Sequence, residues 1–138
     1  MQLRYDFETS LDLSKFEKQI PVYIHRLNYM AMENLLIDVF VKGYKLSFNI
    51  TSDLDVKSNN IEISLFEILR NKDGDLTSGT KLIPANDIRF ADIKVFSDLF
   101  CPNDYSACFV SSDIDLIRER MCTLIKIVHK INKLKMFY

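Results

Sequence analysis

The chain has 138 residues, of which 48% are hydrophobic and 27% charged, and its formal net charge is −1. These are ordinary values for a folded domain, so they argue against a disordered chain and against general attraction to nucleic acid or acidic lipid. The length, with only three glycines and three prolines, predicts a single domain over residues 1–138.

A strand followed by a helix is predicted at the start of the chain. Apolar and charged residues alternate over Leu3–Phe7, the pattern of a half-buried strand. Ser14 and Glu17 have the spacing of a capping box, which predicts a short helix that Pro21 ends or restarts. The pattern over 22–34 fits helix and strand about equally well.

The next segment predicts a β-hairpin. The apolar runs Leu35–Val41 and Tyr44–Ile50 flank the dipeptide Lys42-Gly43, in which glycine supplies the positive φ of a tight turn. The second run alternates strictly and therefore predicts an antiparallel strand with one exposed face. After a polar loop, a further alternating strand begins at Ile61.

Four more elements complete the expected fold. Leu82-Ile83 predicts a short strand at best, and residues 86–100 fit helix or strand. The compact apolar run Tyr105–Val110 predicts a strand. Ser112 is then expected to cap a final helix over roughly residues 112–134.

The final helix has the clearest pattern in the chain. Its apolar residues recur at intervals of three and four, which places them on one stripe: Ile114, Ile117, Met121, Leu124, Val128 and Ile131. Residues 117–138 carry a formal +5, so the remaining 116 residues carry −6. We expect an α+β domain: a curved antiparallel sheet of four to six strands, N-terminal helical segments, and this helix packed across the sheet.

The basic side of this helix is one candidate binding surface. It could contact phosphate groups through six cations: Arg118, Arg120, Lys126, Lys130, Lys133 and Lys135. The helix also has a second apolar line, formed by Leu116, Ile127 and Leu134, which suggests a homodimer through the C-terminal helix. The simpler interpretation is that the stripe lies on the sheet and the lysines are solvated.

The acidic body is the other candidate surface, directed at a basic protein. Its candidate residues are Asp53, Asp55, Glu62, Glu67, Asp73 and Asp75. Asp73-Gly74-Asp75 lacks the downstream glutamate of a calcium loop and predicts a turn. Tyr23, Tyr29 and Tyr105 would serve as interface anchors if the core does not accommodate them.

The sequence contains no recognisable catalytic, cofactor or metal motif, so we expect no cofactor. Cys101, Cys108 and Cys122 match no zinc or redox spacing, and three free thiols indicate a reducing, cytoplasmic compartment. Cys101 with His25 or His129 as base is the weak catalytic alternative. No stretch resembles a signal peptide or a membrane span.

The leading hypothesis is therefore a non-enzymatic protein-binding domain. One specific form is an immunity protein or antitoxin that blocks a toxin-like partner, which is an analogy of size and charge. The alternatives are a nucleic-acid-associated regulator that uses the basic helix, and an enzyme with an unrecognised site.

Overall fold

The computed structural model describes residues 1–70, 76–97 and 103–135 of the chain, and the side chains of 70, 76–78 and 132–135 are not described. Its fold is α+β, as predicted, with a six-stranded sheet that is mostly antiparallel. The strands are β1 (Gln2–Asp6), β2 (Leu35–Val41), β3 (Tyr44–Asp53), β4 (Ser58–Arg70), β5 (Leu76–Leu82) and β6 (Ser106–Ser111). The helices are α1 (Ser14–Tyr29), α2 (Ala91–Lys94), which follows a 3-10 turn at Ile88–Phe90, and α3 (Ile114–Lys135).

The sheet is built around the β2–β3 hairpin. Strands β2 and β3 pair antiparallel from Leu35 opposite Ile50 to Val41 opposite Tyr44, and Lys42-Gly43 forms the predicted turn. Lys42 and Gly43 both have positive φ, of 41° and 91°, as in the type I′ turns that match the strand twist.

Strand β1 adds a parallel edge that the periodicity did not reveal. Leu3 pairs with Ile37 and Tyr5 with Val39, and helix α1 connects the two strands. Parallel neighbours require such a crossover, because a short turn can connect only antiparallel strands. The prediction of an antiparallel sheet is therefore correct for every described pairing except β1–β2.

Strand β4 carries two partners along one edge because it is 13 residues long. Its first part pairs with β6, from Asn59 opposite Ser111 to Ser64 opposite Ser106. Its last part pairs with β5, beginning at Phe66 opposite Leu82.

Helix α1 continues through Pro21, contrary to the expected break. Four residues of one face are fully buried: Phe16, Ile20, Ile24 and Leu27. Burying each contributes roughly 1.5–3 kcal/mol, which together exceeds the roughly 3 kcal/mol cost of an interior proline. The predicted capping box is also absent, because Asp12 rather than Glu17 accepts the hydrogen bonds of the Ser14 amide and hydroxyl, at 3.1 and 2.6 Å.

Helix α3 packs on the sheet face that α1 also covers, as predicted. The stripe residues Ile117, Met121, Leu124 and Val128 are fully buried, and Ile125 is buried beside them. Asp113, rather than Ser112, caps the helix by accepting from the amides of Asp115 and Leu116 at 3.0 and 3.2 Å.

The structure assigns part of the segments 22–34 and 86–100, whose sequence pattern fits both helix and strand. Residues 22–29 are helical, and the chain then turns through Ala31, whose φ is 50°. Within 86–97 the structure has the 3-10 turn and α2 and no strand, and 98–100 lie outside the described residues. The predicted Asp73-Gly74 turn also lies outside them.

Candidate functional site

Three connections of the chain meet at one end of the sheet. Leu35, where β2 begins, lies opposite Ile50 near the end of β3, and Asp53 at the end of β3 lies opposite Ser58. Ser111 at the end of β6 lies opposite Asn59. One end of the sheet therefore carries the loop 30–34, the turn 53–57 and the connection 111–115. At the usual spacing between strands, the four strands β2, β3, β4 and β6 that end there span about 14 Å.

This surface, residues 30–34, 53–57 and 111–115, is called the acidic end below. It carries five exposed carboxylates, contributed by all three connections: Glu33, Asp53, Asp55, Asp113 and Asp115. The turn itself contains one cation, Lys57. Asp53 and Asp55, both predicted as partner-binding residues, are thus joined by three further acidic residues that are distant in sequence.

Large apolar side chains are exposed among these carboxylates. Met30, Leu54 and Val56 are 65%, 57% and 67% exposed, and Tyr29, at the end of α1, is 93% exposed. Tyr29 therefore fulfils the condition for an interface anchor, whereas Tyr23 is partly buried against the core. Exposed apolar groups inside a polar rim are typical of protein-binding surfaces.

Two concavities overlap the acidic end. One, of about 430 Å³, lies on the outer side of α1 and is lined by Val22, His25, Arg26, Tyr29 and Met30. The other, of about 580 Å³, is lined by Thr51, Ser52, Asp53, Leu54, Asp55 and Asn60. Both are depressions open to solvent, so they give this surface shape without forming an enclosed pocket.

The backbone of the acidic end includes two left-handed residues that are not glycine. Ala31 has φ 50° and Lys57 has φ 54°, and only one other non-glycine residue in the described ranges, Lys42, has positive φ. Such conformations cost roughly 1 kcal/mol or more for a residue with a Cβ atom. The two loops are therefore held in shape by the surrounding structure.

The other predicted acidic residues do not join this surface. Glu62 lies opposite Asn49 on the outer face of the sheet, five residues beyond Lys57, the last residue of the turn. Glu67 lies opposite Tyr44 at the far end, where it accepts a hydrogen bond from Arg89 at 3.3 Å. Asp73 and Asp75 lie outside the described residues.

The Arg89 cluster at that far end is structural in character. The guanidinium donates to both carboxylate oxygens of Asp87, at 3.0 and 2.9 Å, and bridges to Glu67. The hydrogen bonds from Arg89 lower the pKa of Asp87 to about 2, and the same contact with Asp87 raises the pKa of Arg89. These contacts fasten the 3-10 turn to β4.

The cations of α3 are not equally available to a ligand. Arg118 forms an ion pair with Asp115 at 3.6 Å, and the Arg120 guanidinium lies 4.9 Å from the centre of the Phe109 ring. Lys126 and Lys130 are exposed. Lys133 and Lys135 belong to the helix, but their side chains are not described.

The second apolar line of α3, proposed above for a homodimer, faces the protein more than solvent. Ile127 is partly buried against the core, and Leu116 is half-buried. Leu134 is among the residues whose side chains are not described.

The cysteines depart from the expectation of three free thiols. Cys108 is disulfide-bonded, whereas Cys122 is free and buried. Burial raises the pKa of the Cys122 thiol to about 11, so it is a poor nucleophile at neutral pH. The expectation of three free thiols, on which the inferred reducing compartment rested, is therefore wrong for Cys108.

Other kinds of site receive no support from the described residues. Within the described ranges no three His, Cys, Asp or Glu side chains are grouped as a metal site would need. The same part of the chain has no helix both long and apolar enough to span a bilayer. Of the catalytic alternatives, His25 is exposed on α1 and Cys101 lies outside the described residues.

Comparisons with known proteins do not assign a family. No protein family, no curated protein and no solved structure matches the chain significantly.

Proposed function

We propose that this chain is a non-enzymatic protein-binding domain that holds a basic partner protein at the acidic end. The observation that carries the proposal is the placement of five exposed carboxylates around Met30, Leu54 and Val56, beside the exposed Tyr29. The exposed apolar side chains would supply affinity. The surrounding negative charges would orient the partner and raise its association rate.

The specific form that we propose is an inhibitor of the immunity-protein or antitoxin type. Such a protein needs only a shaped acidic surface that covers the basic working surface of a toxin. The −6 charge of the chain outside residues 117–138 and the clustering of acids at one end support this form. This form of the proposal rests on the small size and acidic charge that the chain shares with that class.

The partner can be sought by photo-crosslinking from single positions. A benzoylphenylalanine residue would replace Tyr29 in one variant and Leu54 in another, and the chain would be expressed in its source cells. The matched control is Ile88, which is 88% exposed but lies beside Arg89 at the far end of the sheet.

We expect Tyr29 and Leu54 to capture the same basic protein, and Ile88 to leave it uncaptured. Capture of that protein from Ile88 alone would contradict the proposed site. Recovery of nucleic acid instead, from a benzoylphenylalanine at Lys126, would contradict the proposed function and favour the basic helix.

A further inference from the structure

Strand β1 is an outer edge of the described part of the sheet, since β2 is its only strand neighbour there. The Phe7 amide donates to the Phe40 carbonyl, and the Leu36 amide donates to the Met1 carbonyl. Backbone groups alternate in direction along a strand, so odd-numbered residues bond to β2 and the N–H and C=O groups of Gln2, Arg4 and Asp6 point away from it. These groups can form a ladder of backbone hydrogen bonds with a further strand.

The charges on this edge are self-complementary in one register. When two copies of β1 pair antiparallel about Tyr5, the outward-bonding Arg4 of each copy lies opposite the outward-bonding Asp6 of the other. The alternative register about Arg4 would place two arginines face to face, which is unfavourable. We propose that two copies of this chain associate through β1 in the Tyr5-centred register and form one continuous sheet.

The side chains of β1 fit this arrangement on both faces of the sheet. Arg4 and Asp6 are exposed, so their charges are accessible to a second copy. The Arg4 guanidinium lies 4.1 Å from the centre of the Phe40 ring of β2, so in the dimer it would turn from Phe40 toward Asp6 of the second copy, which lies on the same outer face. On the inner face, Leu3 of one copy would meet Phe7 of the other.

The pairing also generates a closed dimer. An antiparallel edge contact has a two-fold axis, so it is isologous and cannot propagate into a filament. An unpaired edge strand presents its free N–H and C=O groups to other chains. The dimer contact covers these groups on both copies at once. The acidic end lies on connections of other strands, so this proposal is independent of the partner-binding function.

The test is the mass of the whole chain in solution by sedimentation equilibrium over a range of concentrations. We expect a species of twice the 16.1 kDa chain mass that dissociates on dilution. Arg4→Asp and Asp6→Arg should each weaken the dimer about tenfold or more, because each turns two attractive pairs into two repulsive ones. The double variant R4D/D6R should restore dimerisation, because the opposite charges face each other again.

A backbone variant separates the edge from other surfaces. Arg4→Pro removes an N–H that points away from β2, so the fold should persist by circular dichroism while the dimer is lost. The matched control, Arg4→Gln, keeps the N–H and should weaken the dimer less. A wild-type monomer at every concentration, in which Arg4 and Asp6 simply protect the edge, would overturn the proposal. So would a dimer that survives Arg4→Pro, or a double variant that stays as weak as the single ones.

Discussion

Asn28 and Asn59 exchange two side-chain hydrogen bonds, at 3.1 and 2.7 Å, although they are 31 positions apart in sequence. Asn59 is only 2% exposed, and its amide nitrogen also donates to the Thr51 carbonyl at 3.3 Å. The pair ties the end of α1 to the start of β4. It therefore sets the position of Tyr29 relative to the turn 53–57.

Breaking this pair should destabilise the domain. We expect Asn28→Ala to lower the free energy of unfolding by about 1–3 kcal/mol, because it removes the donor to the buried Asn59 side-chain oxygen and one of the two acceptors of the Asn59 amide nitrogen. Urea denaturation followed by circular dichroism measures the loss. The double variant N28A/N59A should cost less than the sum of the two single variants by at least about 0.5 kcal/mol, and strict additivity would contradict the coupling.

Gly43→Val should destabilise the β2–β3 hairpin. Gly43 has φ 91°, and no atom lies within 4 Å of the position that a Cβ atom would occupy. The cost is therefore one of backbone strain, about 1–2 kcal/mol, measured as a fall in the midpoint of urea unfolding. Gly43→Asn is the matched control and should cost less, because asparagine tolerates positive φ better than a β-branched residue. Equal costs would mean that strain is not the cause.

Met121→Asp should unfold the domain. Met121 is fully buried on the face of α3 that packs on the core. An unpaired carboxylate there costs several kcal/mol, against a typical total stability of roughly 5–15 kcal/mol. Thermal melting by circular dichroism provides the measurement. Thr123→Asp, on the exposed side of the same helix, is the control and should cost less than about 1 kcal/mol. A wild-type melting temperature for Met121→Asp would refute the packing of α3.

Acid should weaken the Arg89 cluster within a defined window. The pKa of Asp87 is about 2 in the folded chain and near 3.8 when unperturbed, so its contribution to stability is complete above about pH 4. That contribution is lost as the pH falls from about 4 to about 2. Asp87→Asn should be less stable than the wild type at neutral pH, and the difference should shrink across this window. Urea midpoints at pH 7, 4 and 2 measure it, and a constant difference would contradict the assignment.

Charge reversal should distinguish the two candidate surfaces once a partner is in hand. Asp53→Lys with Asp55→Lys should slow association more than it speeds dissociation, and the effect should fade when salt reduces the Debye length below about 8 Å. Lys126→Glu with Lys130→Glu is the matched pair and should leave association nearly unchanged. Stopped-flow or biosensor kinetics provide the rates. A larger effect from the lysine pair would assign the partner to α3, and indifference to both pairs would exclude electrostatic steering.

The local patterns determined much of the fold. Strand β2 occupies Leu35–Val41 as predicted, because an apolar run that ends at a positive-φ turn is a local property of the sequence. The buried stripe of α3 followed from its 3–4 spacing for the same reason. The sequence also identified Asp53, Asp55 and Tyr29 as candidate interface residues.

Tertiary packing decided the rest. Burial of four apolar residues carried α1 through Pro21, and the crossover by α1 made β1 a parallel edge. Strand register brought Glu33, Asp113 and Asp115 beside Asp53 and Asp55, whereas it placed Glu67 at the far end with Arg89. A sequence pattern reports which way a side chain faces along its own element. Which elements become neighbours depends on the total burial that their pairing achieves, and that sum is not visible in any local segment.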